Sequence, residues 1–594
     1  MKKITLIISM LLVYAFGGYA DTWDGSTISS WTKGSGTSSD PYLIESAANL
    51  AYFRDMVNSG VSYSGKYFKL TTNINFNGGT GSIGSASSCP FSGTFDGGNF
   101  SISNAVNNLF YYTENATIKN VTYSGTGALV YSLSGGSMDN CTKMTGTGGL
   151  VVEASSATIN NCTNKSNAVG GGIVRSGGNI TISNCINIGT CSESSCYYYT
   201  PKDATYNELE RMKNGGYVEY AGGIIGRCTG KVTITNCGNK GNVTVSSTEE
   251  KRYPCGGGIV GVIGEGDKVV TVTQCYNKGV VSVSLDNFNN SNSSRADGFV
   301  GWNRSNKSVT IKYCYNNAEI SVYSNRNNTN YVGVSSGENC YNVGLLTKNG
   351  SYTYSGYSMS GTNSYYISTT GTTSSSSQKT ETYMKSSEFV TLLNNGSDVY
   401  QMDVNNENGG FPIFRKSYTI TVKTNNSSMG TVSGGGSYKY EATATITATP
   451  KTGYQFVKWN DGNTSASRTV TVTGAATYTA TFSVATYALT VTSANTTMGT
   501  VTGGGTYEYN SSVTIKATPK EHYHFVKWSD GNTNASRTVT VTKAATYTAT
   551  FAIDTHVLTV SSANTTMGTV TVVARMIIIK QLQLLPHPKQ AIIL

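Results

Sequence analysis

Gly222-Gly223-Ile224-Ile225-Gly226, followed by Val232-Thr233-Ile234-Thr235-Asn236-Cys237, is the stretch of this chain that decides its fold. The same pattern returns as Gly257-Gly258-Ile259-Val260-Gly261, followed by Val270-Thr271-Val272-Thr273-Gln274-Cys275. Weaker copies run through Cys141, Cys162 and Cys185 and from Asp297 to Cys314. Tandem copies of this length indicate a solenoid in which each copy is one structural unit.

Each copy predicts two or three short strands, because apolar residues alternate with polar ones between Gly and Asn residues that suit tight corners. A single copy cannot bury its apolar face. Stacked copies can, because each strand pairs with its equivalent in the next rung at about 4.8 Å. The sequence therefore predicts an all-β fold, a right-handed parallel β-helix whose ends are covered by capping segments. A helical segment near residues 45–58 suits the first cap.

All twelve cysteines lie between Cys89 and Cys340. Seven of them occupy the same position of successive copies and predict a ladder inside the solenoid: Cys141, Cys162, Cys185, Cys237, Cys275, Cys314 and Cys340. We interpret them as small apolar core residues and not as metal ligands, because the region has no histidine and no CxxC pair. Disulfides stay open as an alternative in an exported protein, with Cys191 and Cys196 as the candidate local pair.

The chain begins with Lys2 and Lys3, continues as an apolar run from Ile4 to Phe16, and reaches small residues before Asp21, which is the layout of a cleaved secretory signal. The run is shorter than the roughly 18 to 25 residues of a membrane span. No later segment is long and apolar enough to cross a bilayer. We expect a secreted or cell-surface protein without a transmembrane segment in its mature chain.

The composition argues against nucleic acid as a partner. Only 13% of the residues are charged, and the formal net charge of +10 is spread without an arginine-rich helix or a dense basic stripe. Gly (67) and Tyr (40) are abundant instead. Hydroxyl and amide groups must therefore keep this chain soluble.

Two stretches at the ends of the predicted solenoid resemble the bacterial β-helix surface proteins that carry GLUG motifs. The first contains Asp40-Pro41-Tyr42-Leu43-Ile44 and Gly65-Lys66-Tyr67-Phe68-Lys69-Leu70, and the closing one contains Asn408-Gly409-Gly410-Phe411-Pro412-Ile413. The Gly-Gly-Ile-Ile-Gly and Asn-Cys copies are similar to the GLUG motif itself. The resemblance implies the fold more than a function, since the family includes adhesins and some large secreted peptidases.

The C-terminal part holds a second repeat. Residues 418–486 and 487–555 align without a gap, with Phe456-Val457-Lys458-Trp459 against Phe525-Val526-Lys527-Trp528. These repeats resemble the divergent internalin-type B repeats, which implies small β-rich, β-grasp-like stalk modules. Trp459 and Trp528 are either the main core aromatics of their modules or, if exposed, platforms for sugar rings; we favour the core.

A third copy starts at His556 and dissolves after Thr571. Codons for residues 572–594, read with one nucleotide restored, can spell the run from Gly434 to Phe456 with few changes. We expect an out-of-frame tail. The predicted organisation is a signal peptide (1–20), an N-terminal cap with the first rungs (21–125), β-helix repeats (126–345), a C-terminal cap (346–415), two B-type repeats (416–486 and 487–555), a truncated third repeat (556–571) and the tail (572–594).

No catalytic constellation is recognisable, so we predict no enzyme and no cofactor. The acids of the rungs sit at unlike places in their copies, and no Asp-Asp pair or His-Glu-x-x-His motif occurs. His522 and His524 could share a strand face, but the first repeat has Gly453 and Gln455 there, so we read the pair as incidental. A polysaccharide-cleaving β-helix enzyme remains the least favoured alternative.

Extra residues enter several copies at one phase of the repeat, at 192–220, 246–255, 285–296 and 323–331. Insertions at one phase lie on one side of a solenoid and often form its binding face. Their residue types suit wet recognition of an extracellular glycan or protein ligand: Tyr197, Tyr198, Tyr199, Tyr217, Tyr220, Arg252 and Tyr253. We predict an adhesin-like binding protein; loops without a partner, on a purely structural stalk, are the alternative.

Overall fold

In a computed structural model the chain divides into two compact units, Met1–Phe414 and Arg415–Leu594. The structure describes residues 20–556, apart from 29, 80, 194–216, 249–251, 286–293, 306, 308, 325–330, 351–353, 357–358 and 368–375, together with 576–577.

The first unit is a parallel β-helix made of five sheets, named A to E here, whose strands follow one another rung by rung. Sheet A contains Asp21–Thr22, Ile74–Asn75, Ser101–Ala105, Thr122–Gly125, Thr142–Thr145, Thr163–Asn164, Ile186–Asn187, Gly238–Asn239, Tyr276–Asn277, Tyr315–Asn316, Tyr341–Asn342, Tyr365–Ile367 and Gln378–Lys379. Sheet B contains Tyr42–Ile44, Tyr67–Leu70, Thr94–Asp96, Thr117–Lys119, Ser137–Asp139, Thr158–Asn160, Ile180–Ser183, Val232–Thr235, Val270–Thr273 and Thr310–Lys312.

The other three sheets complete the rungs. Sheet C contains Phe110–Glu114, Val130–Ser134, Val151–Ser155, Val174–Gly178, Ile225–Cys228, Val260–Gly266 and Val300–Ser305. Sheet D contains Ala168–Val169, Cys191–Glu193, Val243–Ser247, Val281–Leu285, Ile320–Ser324, Leu346–Gly350 and an antiparallel edge strand, Tyr354–Gly356. Sheet E contains Tyr217–Gly222, Arg252–Gly257, Arg295–Asp297 and Tyr331–Gly333.

Equivalent residues of successive copies stand beside one another. Val232 pairs with Val270 and Ile234 with Val272, and all four side chains are buried. The residue before each ladder cysteine turns the corner between sheets B and A with a positive φ, as at Asn236 (54°) and Asn184 (53°). Asn tolerates this region better than most side chains, which explains the recurrent Asn-Cys pair. The predicted fold class is confirmed.

An asparagine ladder runs through the interior of sheet A. Five side-chain amides each donate one hydrogen bond to the amide oxygen of the next asparagine, at 2.8 or 2.9 Å, along the row Asn164, Asn187, Asn239, Asn277, Asn316 and Asn342. The second amide proton goes to the carbonyl two residues ahead, such as Gly241 beyond Asn239. Because the six amides are buried and point the same way, their dipoles add along the solenoid.

Glycines allow the tight corner between sheets E and C. A Cβ atom on Gly222 would stand 2.0 Å from the carbonyl oxygen of Ile225, and one on Gly261 would stand 2.6 Å from the carbonyl oxygen of Gly226. Backbone approaches of this kind leave no room for a side chain. The Gly-Gly-Ile-Ile-Gly motif is therefore the corner itself.

Helix α1 (Ala47–Asn58) packs against the first rungs. Ser46 caps its N-terminus by accepting from the Asn49 N–H, and its apolar face lies on the aromatic core. The Phe53 ring lies 4.5 Å from the ring of Phe68 and 5.2 Å from that of Phe91, measured between centroids. The predicted helical segment thus forms a helix, and its apolar side chains are buried against the first rungs.

Helices α2 (Glu381–Met384) and α3 (Ser387–Asn394), with the strand pair Tyr400–Gln401 and Ile413–Phe414, close the first unit. They cover a row of tyrosines on the outside of sheet A. In that row Tyr276, Tyr315 and Tyr341 stack with centroids 5.4 and 5.1 Å apart. The closing segment therefore packs on the side of the last rungs.

The second unit contains two modules of a four-stranded and a three-stranded sheet each. The first has Ser417–Thr424, Gly436–Lys439, Tyr454–Trp459 and Ala476–Val484 beside Gly430–Ser433, Thr443–Pro450 and Ser467–Thr471. The second has Thr486–Ser493, Gly505–Glu508, Tyr523–Trp528 and Ala545–Ile553 beside Gly499–Thr502, Ser512–Pro519 and Ser536–Thr540. A last pair joins Thr555–His556 to Met576–Ile577. Apart from that strand, the predicted tail lies outside the described residues.

Candidate binding groove

The predicted insertions end in strands, because each returns to the solenoid as a strand of sheet E. Tyr217 pairs with Arg252, Val218 with Tyr253 and Tyr220 with Cys255 in parallel register. The interpretation of Tyr217, Tyr220, Arg252 and Tyr253 as loop residues is therefore wrong. The stacked rungs bring these segments side by side, so their backbone N–H and C=O groups pair with one another. In a solvated loop the same groups would bond to water.

The remaining predicted contact residues, Tyr197, Tyr198 and Tyr199, lie outside the described residues, and so do the side chains of Tyr217 and Arg252. Their role stays a prediction. Cys191 has a free, fully buried thiol, while Cys196 lies outside the described residues. The pairing of Cys191 with Cys196 stays a prediction as well.

The seven ladder cysteines are all free and fully buried in the described structure. The sulfur atoms of Cys185, Cys237, Cys314 and Cys340 each accept the backbone N–H of the preceding ladder cysteine, at 3.2 to 3.5 Å. Ser364 takes the cysteine position one rung further and accepts from the Cys340 N–H. This geometry is that of a core position for a small side chain with a weak acceptor.

Each strand of sheet C turns two consecutive positions outward, and in the last three strands the first of them is a glycine, Gly226, Gly261 or Gly301. Val174 and Gly177 face the core while Arg175 and Ser176 between them face outward, and Ser176 stands in register with Arg227. Trp302 continues this row on the last strand. Because the glycine corner folds sheet E back beside sheet C, the outward side chains of the two sheets meet and line a groove.

We name this surface the aromatic–arginine groove. It consists of Tyr220, Tyr253, Trp302 and Tyr331 with Arg175, Arg227, Arg295 and Arg304. At one end the hydroxyl of Tyr220 bonds to Arg175, near Arg227. The groove thus joins residues from five successive rungs that lie far apart in the sequence.

Trp302 contacts two arginines and one tyrosine of the groove. The guanidinium carbons of Arg295 and Arg304 lie 5.2 and 4.9 Å from its ring centroid, and the Tyr253 ring lies 5.7 Å away. Guanidinium groups stacked on an indole keep their N–H groups in the plane of the fork. The arrangement therefore holds the guanidinium groups of Arg295 and Arg304 against one aromatic ring.

A pocket of about 260 Å³ adjoins the Trp302 end, beside the last described strand of sheet C. Val300, Val309 and Ile311 form an apolar part, and Tyr331, Ser335 and Ser336 supply hydroxyl groups. Asp297 lies under this end and accepts the N–H groups of Phe299 and Ser335 and the Ser335 hydroxyl. Burial raises its pKa to about 6.

Glu193 anchors the other end. Its carboxyl group is 3.7 Å from Arg175, and only 7% of its side chain is exposed. Burial raises the pKa of Glu193 to about 7, Arg175 opposes that rise, and the nearby Glu219 adds to it. One arginine of the groove is therefore paired with an acid that titrates near neutrality.

Sequence reasoning missed the arginines and Trp302 because it looked for the binding face in the insertions only. A signal was available: between residues 21 and 414 every arginine except Arg54 lies between Arg175 and Arg326. Such clustering in a chain of few charges indicates a local use. The Asn ladder also had a signal, the Cys-x-Asn spacing at Cys237 and Cys275.

Trp459 and Trp528 are fully buried, and each indole N–H donates to a backbone carbonyl, of Ser465 and Asn534. They are core residues, and sugar stacking on them is excluded. Across the described ranges no cluster of three His, Cys, Asp or Glu could hold a metal ion. No helix in the described part is long and apolar enough to cross a membrane.

The divergent InlB B-repeat domain family matches residues 420–486 and 489–555. No curated protein matches the chain. Among solved structures, a candidate immunoglobulin A1 protease from Bacteroides ovatus is 17% identical over 65% of this chain and 95% of its own, with a TM-score of 0.31. An IgA1 protease is 15% identical over 54% of this chain and 24% of its own, with a TM-score of 0.30. Both are too distant to assign an activity. The family match covers the two modules that resembled B repeats in sequence.

Proposed function

We propose that this chain is a secreted or cell-surface, adhesin-like binding protein, whose β-helix presents the aromatic–arginine groove to an extracellular glycan or protein ligand. One observation carries the proposal: aromatic rings and guanidinium groups from two sheets converge on one face, around Trp302. Aromatic and arginine side chains are the types enriched at recognition sites. Nothing in the packing of the core requires them there.

The proposal assigns the two B-repeat modules the role of a stalk. Each module has its own core around a buried tryptophan. Ala485 joins them, since its N–H donates to the Gly453 carbonyl and its own carbonyl accepts from the Tyr509 N–H. A junction bonded on both sides supports a stiff connection between the modules.

The proposal also includes the features read from the sequence: the signal peptide at 1–20, the GLUG-type repeats at 126–345 with caps at 21–125 and 346–415, and the truncated repeat and tail at 556–571 and 572–594. A structural surface stalk is the competing function. It requires no ligand in the groove.

The test uses the full chain on arrays of host and plant glycans and extracellular-matrix proteins, beside a variant with Tyr253→Ala and Trp302→Ala. The control is Tyr67→Ala, a partly exposed tyrosine on sheet B, away from the groove and the insertions. Truncating two central aromatics should weaken binding about tenfold or more, while the control should bind like the parent chain. If the groove variant binds as tightly as the parent chain, the ligand binds outside the groove. If the folded parent chain binds nothing on either array, the structural-stalk function is favoured over the binding function.

A further inference from the structure

The charges of the groove define its ligand more closely than its shape does. Arg227 and Arg295 form no ion pair within the described part of the chain, and Arg295 is instead stacked between Trp302 and Tyr331. The acids near them are buried: Glu193, Glu219 and Asp297 are 6%, 2% and 1% exposed. The groove therefore presents positive charge outward and keeps its negative charge inside.

The type of cation matters too. The arginine side chains described between Arg175 and Arg304 line this groove, whereas the exposed lysines of these rungs are spread, with Lys165 and Lys240 at the sheet A corners and Lys307 just after the Trp302 strand. The guanidinium fork matches a carboxylate with two parallel hydrogen bonds, which an ammonium group cannot do. The arginines therefore favour an anion with paired oxygen atoms, and a carboxylate is the form of that anion that a sugar polymer can carry on its rings.

The outward face of sheet C continues past the groove to earlier rungs, where Glu153 also faces outward, in register with Ser132 and Ser176. Tyr111 and Tyr131 stack on the outside of sheet C with centroids 4.3 Å apart, several rungs before Trp302. The seven strands of sheet C span roughly 29 Å at the usual strand spacing. An extended polymer can contact aromatic residues at both ends of such a face, and a small acid cannot.

A sheet face recognises a polymer through side chains only. The strands of sheet C pair with one another in the plane of the sheet, so the backbone groups are used. A peptide gains main-chain hydrogen bonds at a sheet edge and not on a face. Pyranose rings need no backbone partner, because they stack on aromatic rings while their carboxylates reach the arginines.

We propose that the ligand is an extended acidic polysaccharide rich in uronic acids, which lies across the outward face of sheet C with its carboxylates on Arg227, Arg295 and Arg304. This inference rests on the proposed function and names the ligand class of the same groove. Acidic peptides are a separate outcome of the test.

The experiment measures binding of the full chain to polygalacturonate, to the same polymer with its carboxylates methyl-esterified, and to poly-glutamate. Esterification removes the charge and keeps the sugar backbone, so it should weaken binding about tenfold or more, and added salt should weaken binding of the free acid. A double variant, Arg295→Gln with Arg304→Gln, should lose binding by a similar factor. Lys165→Gln with Lys240→Gln removes the same charge outside the groove and should bind within about twofold of the parent.

Thermal unfolding of both double variants separates a lost site from a lost fold. Equal binding of the free and esterified polymers, or an unaffected arginine variant, would overturn the acidic-polysaccharide inference. Preferred binding of poly-glutamate would also overturn it. In each of these cases a neutral glycan or protein that depends on Trp302 would still support the proposed function, and only the absence of any groove-dependent ligand would remove both.

Discussion

Asn239 donates its side-chain amide to the Oδ1 atom of Asn277, one rung further along the solenoid, at 2.8 Å. Its own Oδ1 atom accepts the amide of Asn187 from the rung before, at 2.9 Å. Both neighbours are fully buried. Each asparagine thus satisfies the next, and the hydrogen bonds of the core depend on a continuous row.

Asn239→Ala should therefore destabilise the β-helix by about 3 kcal/mol, because it leaves the Asn187 amide and the Asn277 oxygen buried without partners. Urea unfolding of the full chain, followed by far-UV circular dichroism, measures the loss. Thr244→Ala, at an exposed strand position of the same rung, is the control and should cost less than about 0.5 kcal/mol. An equal loss of unfolding free energy in the two variants would show that the hydrogen bonds of the asparagine ladder do not stabilise the fold.

Lys143 takes the asparagine position one rung before Asn164 and should make stability depend on pH. It is fully buried, donates to the carbonyls of Gly125 and Thr145, and lies 4.7 Å from the Tyr123 ring centroid. Burial lowers its pKa from 10.5 to about 8. Between these values the unfolded chain binds the proton more tightly, so raising the pH favours the folded state.

The measurement compares the parent chain with Lys143→Met in urea at several pH values. Below about pH 8 the stability difference between the two chains should be constant, and from there to about pH 10.5 the parent should gain on the variant. All other groups titrate alike in both chains and cancel. A difference that stays flat through this range would mean that Lys143 keeps an ordinary pKa.

Gly261→Ala should disturb the corner that forms the groove. The new Cβ atom would meet the Gly226 carbonyl oxygen at 2.6 Å and the Ala221 carbonyl group at 2.8 Å, both of them backbone. The expected cost is about 1 to 3 kcal/mol of folding free energy. Gly264→Ala, on the same strand, meets only the Cys228 carbonyl oxygen at 3.2 Å and should cost clearly less in the same thermal unfolding series. Identical melting temperatures would indicate that the corner can open.

Trp528→Ala should unfold the second B-repeat module without unfolding the first. Truncation of a fully buried tryptophan costs about 3 to 5 kcal/mol, and the first module has a separate core around Trp459. Limited proteolysis followed by mass spectrometry should show cuts within residues 487–555 only. Val526→Ala, partly exposed on the same strand, should leave the module resistant. Cleavage throughout 416–555 would instead show that the two modules fold as one unit.

The rung copies allowed much of this architecture to be predicted. Strands at Val232–Thr235 and Val270–Thr273, the inward cysteines and the helix over Ala47–Asn58 follow from local patterns, because burial on one face fixes which residues alternate inward. The two B-repeat modules could be predicted because their amino-acid sequences align without a gap. The prediction of loops was wrong in the insertions that end in strands of sheet E, because these segments show no repeated alternation of apolar and polar residues.

The sequence by itself determined the repeat, the corners and the composition of the core, since these depend on spacing within one copy and on the backbone freedom of Gly and Asn. Only the tertiary structure decided that Tyr253 and Trp302, from different sheets and different rungs, face each other across a glycine corner. This contact depends on the angle between sheets C and E. All stacked rungs set that angle together, so the sequence of a single copy does not determine it.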